Sequence, residues 1–111
     1  MIEEREERQI IRRLADVIAG AYKPEKIILF GSYAYGEPDD ESDIDLLIIK
    51  KTKKPFFERL YDVRRISSEA RRGYAFEPIV MTPGELKDRV REGDQFIDEI
   101  LAKGEVLYAR P

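Results

Sequence analysis

Two aspartates in an apolar run are the residues of this 111-residue sequence whose spacing most directly indicates chemistry. Asp43 and Asp45 lie in residues 42–49, which predict a strand, and side chains two residues apart on a strand point to the same face. Paired carboxylates in an apolar strand repel each other and lose hydration, which costs free energy unless a cation compensates. We expect Mg²⁺, because it prefers oxygen ligands and is usually held by one or two carboxylates together with substrate phosphates.

A phosphate-binding turn is predicted just before these aspartates. The β-branched run at residues 27–30 predicts a buried strand that ends at Gly31 and Ser32. Gly31 permits a close backbone approach to a phosphate, and Ser32 offers a hydroxyl and an N–H where a helical turn would begin. Two Mg²⁺ ions about 3.5–4 Å apart can clamp the attacking and leaving oxygens of a displacement at phosphorus. These residues therefore favour metal-assisted phosphate chemistry.

Gly31-Ser32, followed by Gly36 and then by Asp43-x-Asp45, resembles the signature of the nucleotidyltransferase superfamily that includes the polymerase-β-like enzymes. The sequence is especially similar to the minimal nucleotidyltransferases, which are the small partners of helical HEPN proteins in two-gene modules. The chain length, the opening helix and the ending at residues 104–108 also match that group. The resemblance implies a nucleotidyltransferase fold of the α/β (α+β) class, with a small mixed β-sheet covered by helices.

The resemblance also implies a third carboxylate on a later strand, where Glu77 is the candidate. Glu77 lies in the extended segment at residues 75–81, and it would complete the metal site or act as base toward the attacking hydroxyl. The usual residue of the family is aspartate, so Glu77 departs by one methylene. Pro78 favours an extended conformation at Glu77 and removes a ladder donor, which predicts an edge strand or a bulge. A solvent-facing glutamate on an edge strand is the alternative interpretation.

The residues between the two glycines depart from the family pattern as well. Many relatives carry an arginine there, whereas this sequence has Tyr33 and Tyr35. A tyrosine stacks or donates one hydrogen bond, but it does not neutralise a triphosphate as a guanidinium does. Packing of both rings under the turn is the alternative to a ligand contact.

Periodicity predicts the elements that must position these residues. Apolar spacing predicts a covering helix over residues 3–21, a helix over 55–72 and a strand over 75–81. Thr82 is expected to cap a short helix that runs to about Arg91, and Gly104 is expected to close a further helix before a short final strand or tail at 106–108. The order is αβ(α)βαβαα around a small mixed sheet, as a single domain spanning residues 1–111.

The helix over residues 55–72 is expected to cover the sheet and to expose a basic surface. Its apolar stripe is predicted to combine Phe56, Leu60, Val63 and either Ile66 or Ser67. The arginines are expected on the remaining surface, at Arg59, Arg64, Arg65, Arg71 and Arg72.

Composition narrows the classes of function. The sequence has no cysteine and no histidine, which excludes disulfide, thiolate and imidazole chemistry and leaves carboxylates, lysines, tyrosines and water for acid–base work. A net charge of −3 provides no general attraction to nucleic acid. The apolar runs are too short for a membrane span, and the acidic N-terminus does not resemble a secretory signal, so we expect a cytoplasmic location.

The function expected from the residues and the resemblance together is Mg²⁺-dependent nucleotidyl transfer. Gly31 and Ser32 would hold the phosphates of ATP, Asp43 and Asp45 would carry two Mg²⁺ ions, and Glu77 would complete the site. AMP would pass to a hydroxyl on a HEPN partner toxin, so that the protein acts as an antitoxin within an oligomeric complex.

Two alternatives stay open. One is a non-catalytic antitoxin or interaction module that neutralises its partner by binding, which the departures at Glu77, Tyr33 and Tyr35 favour. The other is a transferase acting on a small molecule such as an aminoglycoside, which the lack of a substrate domain disfavours.

Overall fold

Five helices and four strands form the computed structural model, which describes residues 2–111 and the side chains from Glu6 onward. In chain order they are α1 (Ile2–Tyr22), β1 (Lys26–Phe30), α2 (Ser32–Tyr35), β2 (Ile44–Ile49), α3 (Phe56–Ser67), β3 (Phe76–Met81), α4 (Pro83–Arg91), α5 (Gln95–Lys103) and β4 (Glu105–Ala109). The predicted α/β class is confirmed, and the ending at residues 106–108 lies within the strand β4. None of the helices in residues 2–111 combines the length and the apolar character needed to cross a membrane.

The four strands form one mixed sheet in the order β3-β2-β1-β4. Strand β1 is antiparallel to both β2 and β4, whereas β2 and β3 are parallel. The register places Phe30 opposite Asp45 on one side and Glu77 beside Asp45 on the other. Strand β3 is an edge strand, as Pro78 predicts.

Helices cover both faces of the sheet and create two apolar clusters. On the first face, Leu14 and Ile18 of α1 and Val63 of α3 pack against alternate residues of β2, including Leu46. On the second face, Ile97 of α5 and the helix α4 pack against the other set of β2 residues. Because side chains alternate along a strand, Asp43 and Asp45 belong to the second face, and so does Glu77 through its pairing with Asp45.

Helix α3 is shorter than the periodicity predicts. It ends at Ser67, and the chain continues through turns in which Arg72 N–H bonds to Glu69 O at 3.2 Å and Tyr74 N–H bonds to Arg71 O at 2.9 Å. Arg72 and Gly73 both adopt positive φ, at 51° and 82°, which a continuing α-helix does not allow. The helix therefore ends six residues before Gly73, the glycine that was expected to end it.

The exposed and buried sides of α3 also differ from the prediction. Arg59 is only 7% exposed, and its guanidinium donates to Lys54 O at 2.8 Å and to Glu85 Oε1 at 2.8 Å, which compensates the buried charge. Phe56 is 48% exposed and packs edge-on against Phe57. The prediction was thus wrong for Arg59 and Phe56, because a salt bridge from α4, invisible in the periodicity, makes arginine suitable for the interior.

Candidate active site

Two strand pairings bring the predicted carboxylates together at one end of the sheet. Asp45 is the second residue of β2, and Asp43 immediately precedes that strand. Glu77 is the second residue of β3 and lies beside Asp45 in the parallel register. All three side chains therefore extend from the same face of two neighbouring strands.

The backbone at Gly31 fits closely against the Asp45 carboxylate. Gly31 follows β1 with φ of 74° and ψ of −152°, a conformation that is essentially restricted to glycine. A Cβ atom built at this position would collide with Asp45 Oδ2. Ser32 begins the short helix α2, in which the N–H groups of Ala34 and Tyr35 both donate to Gly31 O at 3.0 Å. The Gly31-Ser32 turn and Asp45 are therefore in direct contact.

Electrostatics at Asp45 indicate an excess of negative charge. Burial, together with the negative charges of Asp43 and Glu77, raises the pKa of Asp45 to about 6. A perturbed carboxylate with like-charged neighbours is typical of functional sites. A bound cation would reverse both effects, because it compensates the lost hydration and the repulsion between the carboxylates.

Glu77 pairs with a cation in the structure. Arg64 of α3 lies with its Nη2 atom 3.6 Å from Glu77 Oε2, and its Nη1 atom donates to Phe76 O at 3.2 Å. Helix α3 packs on the opposite face of the sheet, so the Arg64 side chain reaches around the free edge of β3. Among the residues with described side chains, no three acidic or other ligand groups form a ready metal site. The third carboxylate is thus adjacent to Asp45 and engaged by an arginine.

The two tyrosines of α2 lie on different faces. Tyr33 packs against the first-face cluster, and burial raises its pKa, with a further contribution from Glu7. Tyr35 packs against the second-face cluster, and the Lys103 ammonium of α5 lies 5.9 Å from the centroid of its ring. The Lys103 ammonium of α5 thus lies close to the glycine turn at residues 31–36, which has no lysine or arginine of its own.

An open cleft of about 540 Å³ adjoins the site on the first face. Its lining includes Tyr33, Tyr74 and the Arg72 guanidinium, together with five carboxylates, those of Glu6, Glu7, Asp39, Asp40 and Glu41. The three predicted metal-site carboxylates are not part of this lining. Its charge therefore disfavours a triphosphate, which carries several negative charges of its own.

Comparison with known families gives a match over nearly the whole chain. Residues 11–106 match the family model described as a nucleotidyltransferase domain. The chain belongs to the nucleotidyltransferase family. This match spans α1 to β4 and includes every residue of the candidate site.

Curated relatives of this nucleotidyltransferase carry a common name. A "putative protein adenylyltransferase" of Methanocaldococcus jannaschii is 36% identical over 78 residues, which cover 70% of this chain and 73% of that protein. A second protein of that organism with the same name is 47% identical over 49 residues, which cover 44% of this chain and 47% of the relative. The first of these matches independently shows the family.

A solved structure shares the fold. The crystal structure of a "putative nucleotidyltransferase" from Sulfolobus solfataricus superposes with a TM-score of 0.65 at 29% sequence identity, covering 98% of this chain and 86% of the other. The resemblance to the nucleotidyltransferases is thereby confirmed, and the protein is a nucleotidyltransferase enzyme.

The residues of this nucleotidyltransferase fit a magnesium ion at Asp43 and Asp45. Both carry carboxylate oxygens, the ligands that Mg²⁺ prefers, and a cation would offset the burial and the neighbouring negative charges that raise the pKa of Asp45. One or two carboxylates are enough when substrate phosphates supply further oxygens. Glu77 would join them after exchanging its ion pair with Arg64.

Sequence reasoning missed four residues that lie around this site. Phe30 is opposite Asp45 in the sheet, Arg64 and Lys103 approach from α3 and α5, and Phe96 packs on Phe30. Phe30 had a usable signal, because it directly precedes Gly31 on the strand that leads into the predicted phosphate-binding turn. The other three depend on helix placement, which periodicity does not report.

Proposed function

We propose that this nucleotidyltransferase transfers AMP from ATP to a hydroxyl group on another protein. The observation that carries the proposal is the contact between Gly31 and Asp45, with Glu77 beside Asp45 on the next strand. This arrangement offers a phosphate-binding turn and metal-binding carboxylates at one point. The curated relatives named as protein adenylyltransferases support AMP as the transferred group and protein as the acceptor.

In the proposed reaction the acceptor hydroxyl oxygen forms a bond to the α-phosphorus of ATP. The bond between that phosphorus and the oxygen leading to the β-phosphate breaks, and pyrophosphate leaves. The hydroxyl proton passes to Glu77, the carboxylate of the three that reaches solvent most freely. Gly31 and Ser32 hold the phosphates in line, and Asp43 and Asp45 bind the metal. When bound, Mg²⁺ would neutralise part of the negative charge of the phosphates.

The partner that we propose is a helical HEPN-type toxin encoded next to this protein, which would make the enzyme an antitoxin. The support is the resemblance to the minimal nucleotidyltransferases, whose small core leaves the acceptor wall to a second chain. The resulting complex would be an oligomer, and a cytoplasmic location suits an ATP-consuming reaction.

A second candidate function is neutralisation by binding alone. The specific observation in its favour is the ion pair between Arg64 and Glu77, because the guanidinium competes for the carboxylate that would complete the metal site or accept the proton. In that case the complex would form without any transfer of AMP.

An assay with labelled ATP distinguishes AMP transfer from neutralisation by binding alone. The protein is incubated with Mg²⁺, the product of the neighbouring gene, and ATP labelled on either the α- or the γ-phosphate. We expect the α-label alone to appear on the partner, and we expect Asp43→Asn and Asp45→Asn to abolish it. Asp88→Asn, an exposed aspartate of α4, is the matched control and should retain labelling. A tight complex without any label would instead support neutralisation by binding.

A further inference from the structure

A pair of aromatic rings lies on the second face of the sheet, next to the candidate metal site. Phe30 is the last residue of β1, and Phe96 lies in the first turn of α5. Their ring centroids are 5.7 Å apart with an interplanar angle of 86°, an edge-to-face contact. Phe30 is buried, whereas Phe96 is 53% exposed. The contact holds the Phe96 ring in place while leaving much of its surface open.

The register of the sheet places this ring pair beside Asp45. Phe30 and Asp45 are directly opposite each other on antiparallel strands, so their side chains extend on the same face with Cβ atoms about 4.5–5.5 Å apart. Phe96 contacts the ring of Phe30, the residue opposite Asp45. A nucleoside triphosphate whose phosphates lie at Asp45 carries its base one ribose away from the metal-bound phosphate. The Phe30–Phe96 contact brings an exposed aromatic ring to the part of the second face that adjoins Asp45.

The two faces of the sheet differ in the charged side chains that a bound nucleotide would meet. The cleft on the first face is lined by five carboxylates, which repel a triphosphate. The second face has Phe96 at one end of α5 and Lys103 at the other, seven residues apart and hence on the same side of the helix. The Lys103 ammonium lies over Tyr35 of α2, close to the Gly31-Ser32 turn. The second face thus offers an aromatic surface, the carboxylates that would bind the metal, and the Lys103 ammonium, which also lies 3.8 Å from Glu99 Oε2.

We propose that the exposed ring of Phe96, held against Phe30 beside Asp45, is the surface on which the base of the nucleoside triphosphate stacks. The inference rests on the proposed function and adds a base-binding site to it. Stacking requires only an aromatic face, so the site accepts nucleoside triphosphates as a class and does not by itself distinguish one base from another.

Calorimetric titration with two ligands tests this. MgATP and inorganic Mg-tripolyphosphate share the phosphate groups, but only ATP has a base. Phe96→Leu keeps an apolar contact with Phe30 and removes the aromatic face, and Phe96→Trp restores one. We expect Phe96→Leu to weaken MgATP binding about 5- to 100-fold, with tripolyphosphate binding unchanged and with affinity recovered in Phe96→Trp.

Phe57→Leu is the matched control, because Phe57 is 81% exposed on α3, away from the second face. Unchanged MgATP binding in Phe96→Leu would overturn the inference, and so would an equal loss for both ligands. Selective loss of MgATP in Tyr33→Leu would place the base in the acidic cleft and overturn it as well. If the native protein binds neither ligand, the proposed function itself fails and the stacking site fails with it.

Discussion

At the scale of single residues, Asp45 bears the largest electrostatic cost of the site. Its carboxylate loses hydration next to two further carboxylates, and the resulting pKa of about 6 lies well above the ordinary 3.8. A group whose pKa is higher in the folded than in the unfolded state binds protons more tightly when folded. The contribution of Asp45 to the free energy of unfolding therefore falls as the pH rises from about 4 to about 6. At neutral pH the ionised Asp45 destabilises the metal-free fold.

The first prediction is that Asp45→Asn stabilises the metal-free protein. We expect the free energy of unfolding at pH 7 to rise by about 1 kcal/mol, a figure reduced for the partial solvent exposure of the side chain, and Tm by about 4–8 °C. Near pH 4 the native and variant values should converge, because Asp45 is then protonated. Thermal unfolding followed by circular dichroism across this pH range measures both effects.

The same variant should respond differently to magnesium. Mg²⁺ is expected to raise the Tm of the native protein at pH 7, because a ligand that binds only the folded state stabilises it. Asp45→Asn should show little or no such rise, and Asp88→Asn should behave like the native protein. A magnesium-dependent shift of equal size in Asp45→Asn would contradict the assignment of Asp45 as a ligand.

The second prediction concerns Gly31. Gly31→Ala should lower the free energy of unfolding by at least about 2 kcal/mol, because alanine is strained in this backbone conformation and its Cβ meets Asp45 Oδ2. Gly93→Ala is the control, since Gly93 has nearly the same φ, +75°, with nothing within 4 Å of the added atom. It should cost about 1 kcal/mol. Urea unfolding compares the two, and equal costs would argue against close packing of Gly31 on Asp45.

At the scale of elements, an ion pair between the buried Arg59 and the half-exposed Glu85 joins α3 to α4 beside the edge strand β3. The Arg59 guanidinium donates to both Glu85 oxygens, at 2.8 and 3.2 Å, and Glu85 Oε1 also accepts from Thr82 N–H at 2.9 Å as part of the capping box of α4. Hydrogen bonding to Arg59 lowers the pKa of Glu85. The Glu85 carboxylate therefore both caps the N-terminus of α4 and attaches that helix to α3.

The third prediction follows from this attachment. Arg59→Ala should lower the free energy of unfolding by about 2–4 kcal/mol, because it removes a buried side chain with its hydrogen bonds to Glu85 and Lys54 O and opens a space between two elements. Arg91→Ala is the control, since Arg91 pairs with Asp88 at 3.1 Å on the surface of α4. It should cost less than about 1 kcal/mol. A urea series that finds the same cost for both variants would show that Arg59 does not join the helices.

At the scale of the whole molecule, the C-terminal strand and the N-terminal helix are held together. Strand β4 pairs with β1, and Leu107 is buried in the first-face cluster. Arg12 of α1 donates to Leu107 O at 2.7 Å, and Arg8 pairs with Glu105. Without β4, the β1 strand that ends at Gly31 would become an unprotected edge.

The fourth prediction is that a chain ending at Gly104 loses cooperative unfolding. The loss follows because Leu107 and the β1–β4 ladder are removed together. A chain ending at Ala109 keeps both and lacks only the Arg110 contacts with Glu25 and Lys23, so it should retain a sharp transition with a modestly lower midpoint. A cooperative urea transition in the shorter chain would show that β4 is dispensable. That residues 1–111 form one domain stays a prediction, and a single cooperative transition in this series would support it.

The sequence by itself determined the α/β class, the edge position of β3, and the placement of Asp43 and Asp45 on one face after a glycine turn. These features are local, since side-chain alternation, helical periodicity and the φ range of glycine or proline act over a few residues. The Gly-Ser and Asp-x-Asp spacing also indicated the correct family. The roles of Asp43, Asp45, Glu77, Gly31 and Ser32 in binding stay predictions.

Only the tertiary structure decided which distant groups surround those carboxylates. The burial of Arg59 depends on Glu85, 26 residues away, and the approach of Arg64 to Glu77 depends on a helix that packs on the opposite face. The contact between Phe30 and Phe96 depends on where α5 crosses the sheet. Such contacts are set by the packing of elements that are far apart in the chain, and no local pattern of residues specifies them.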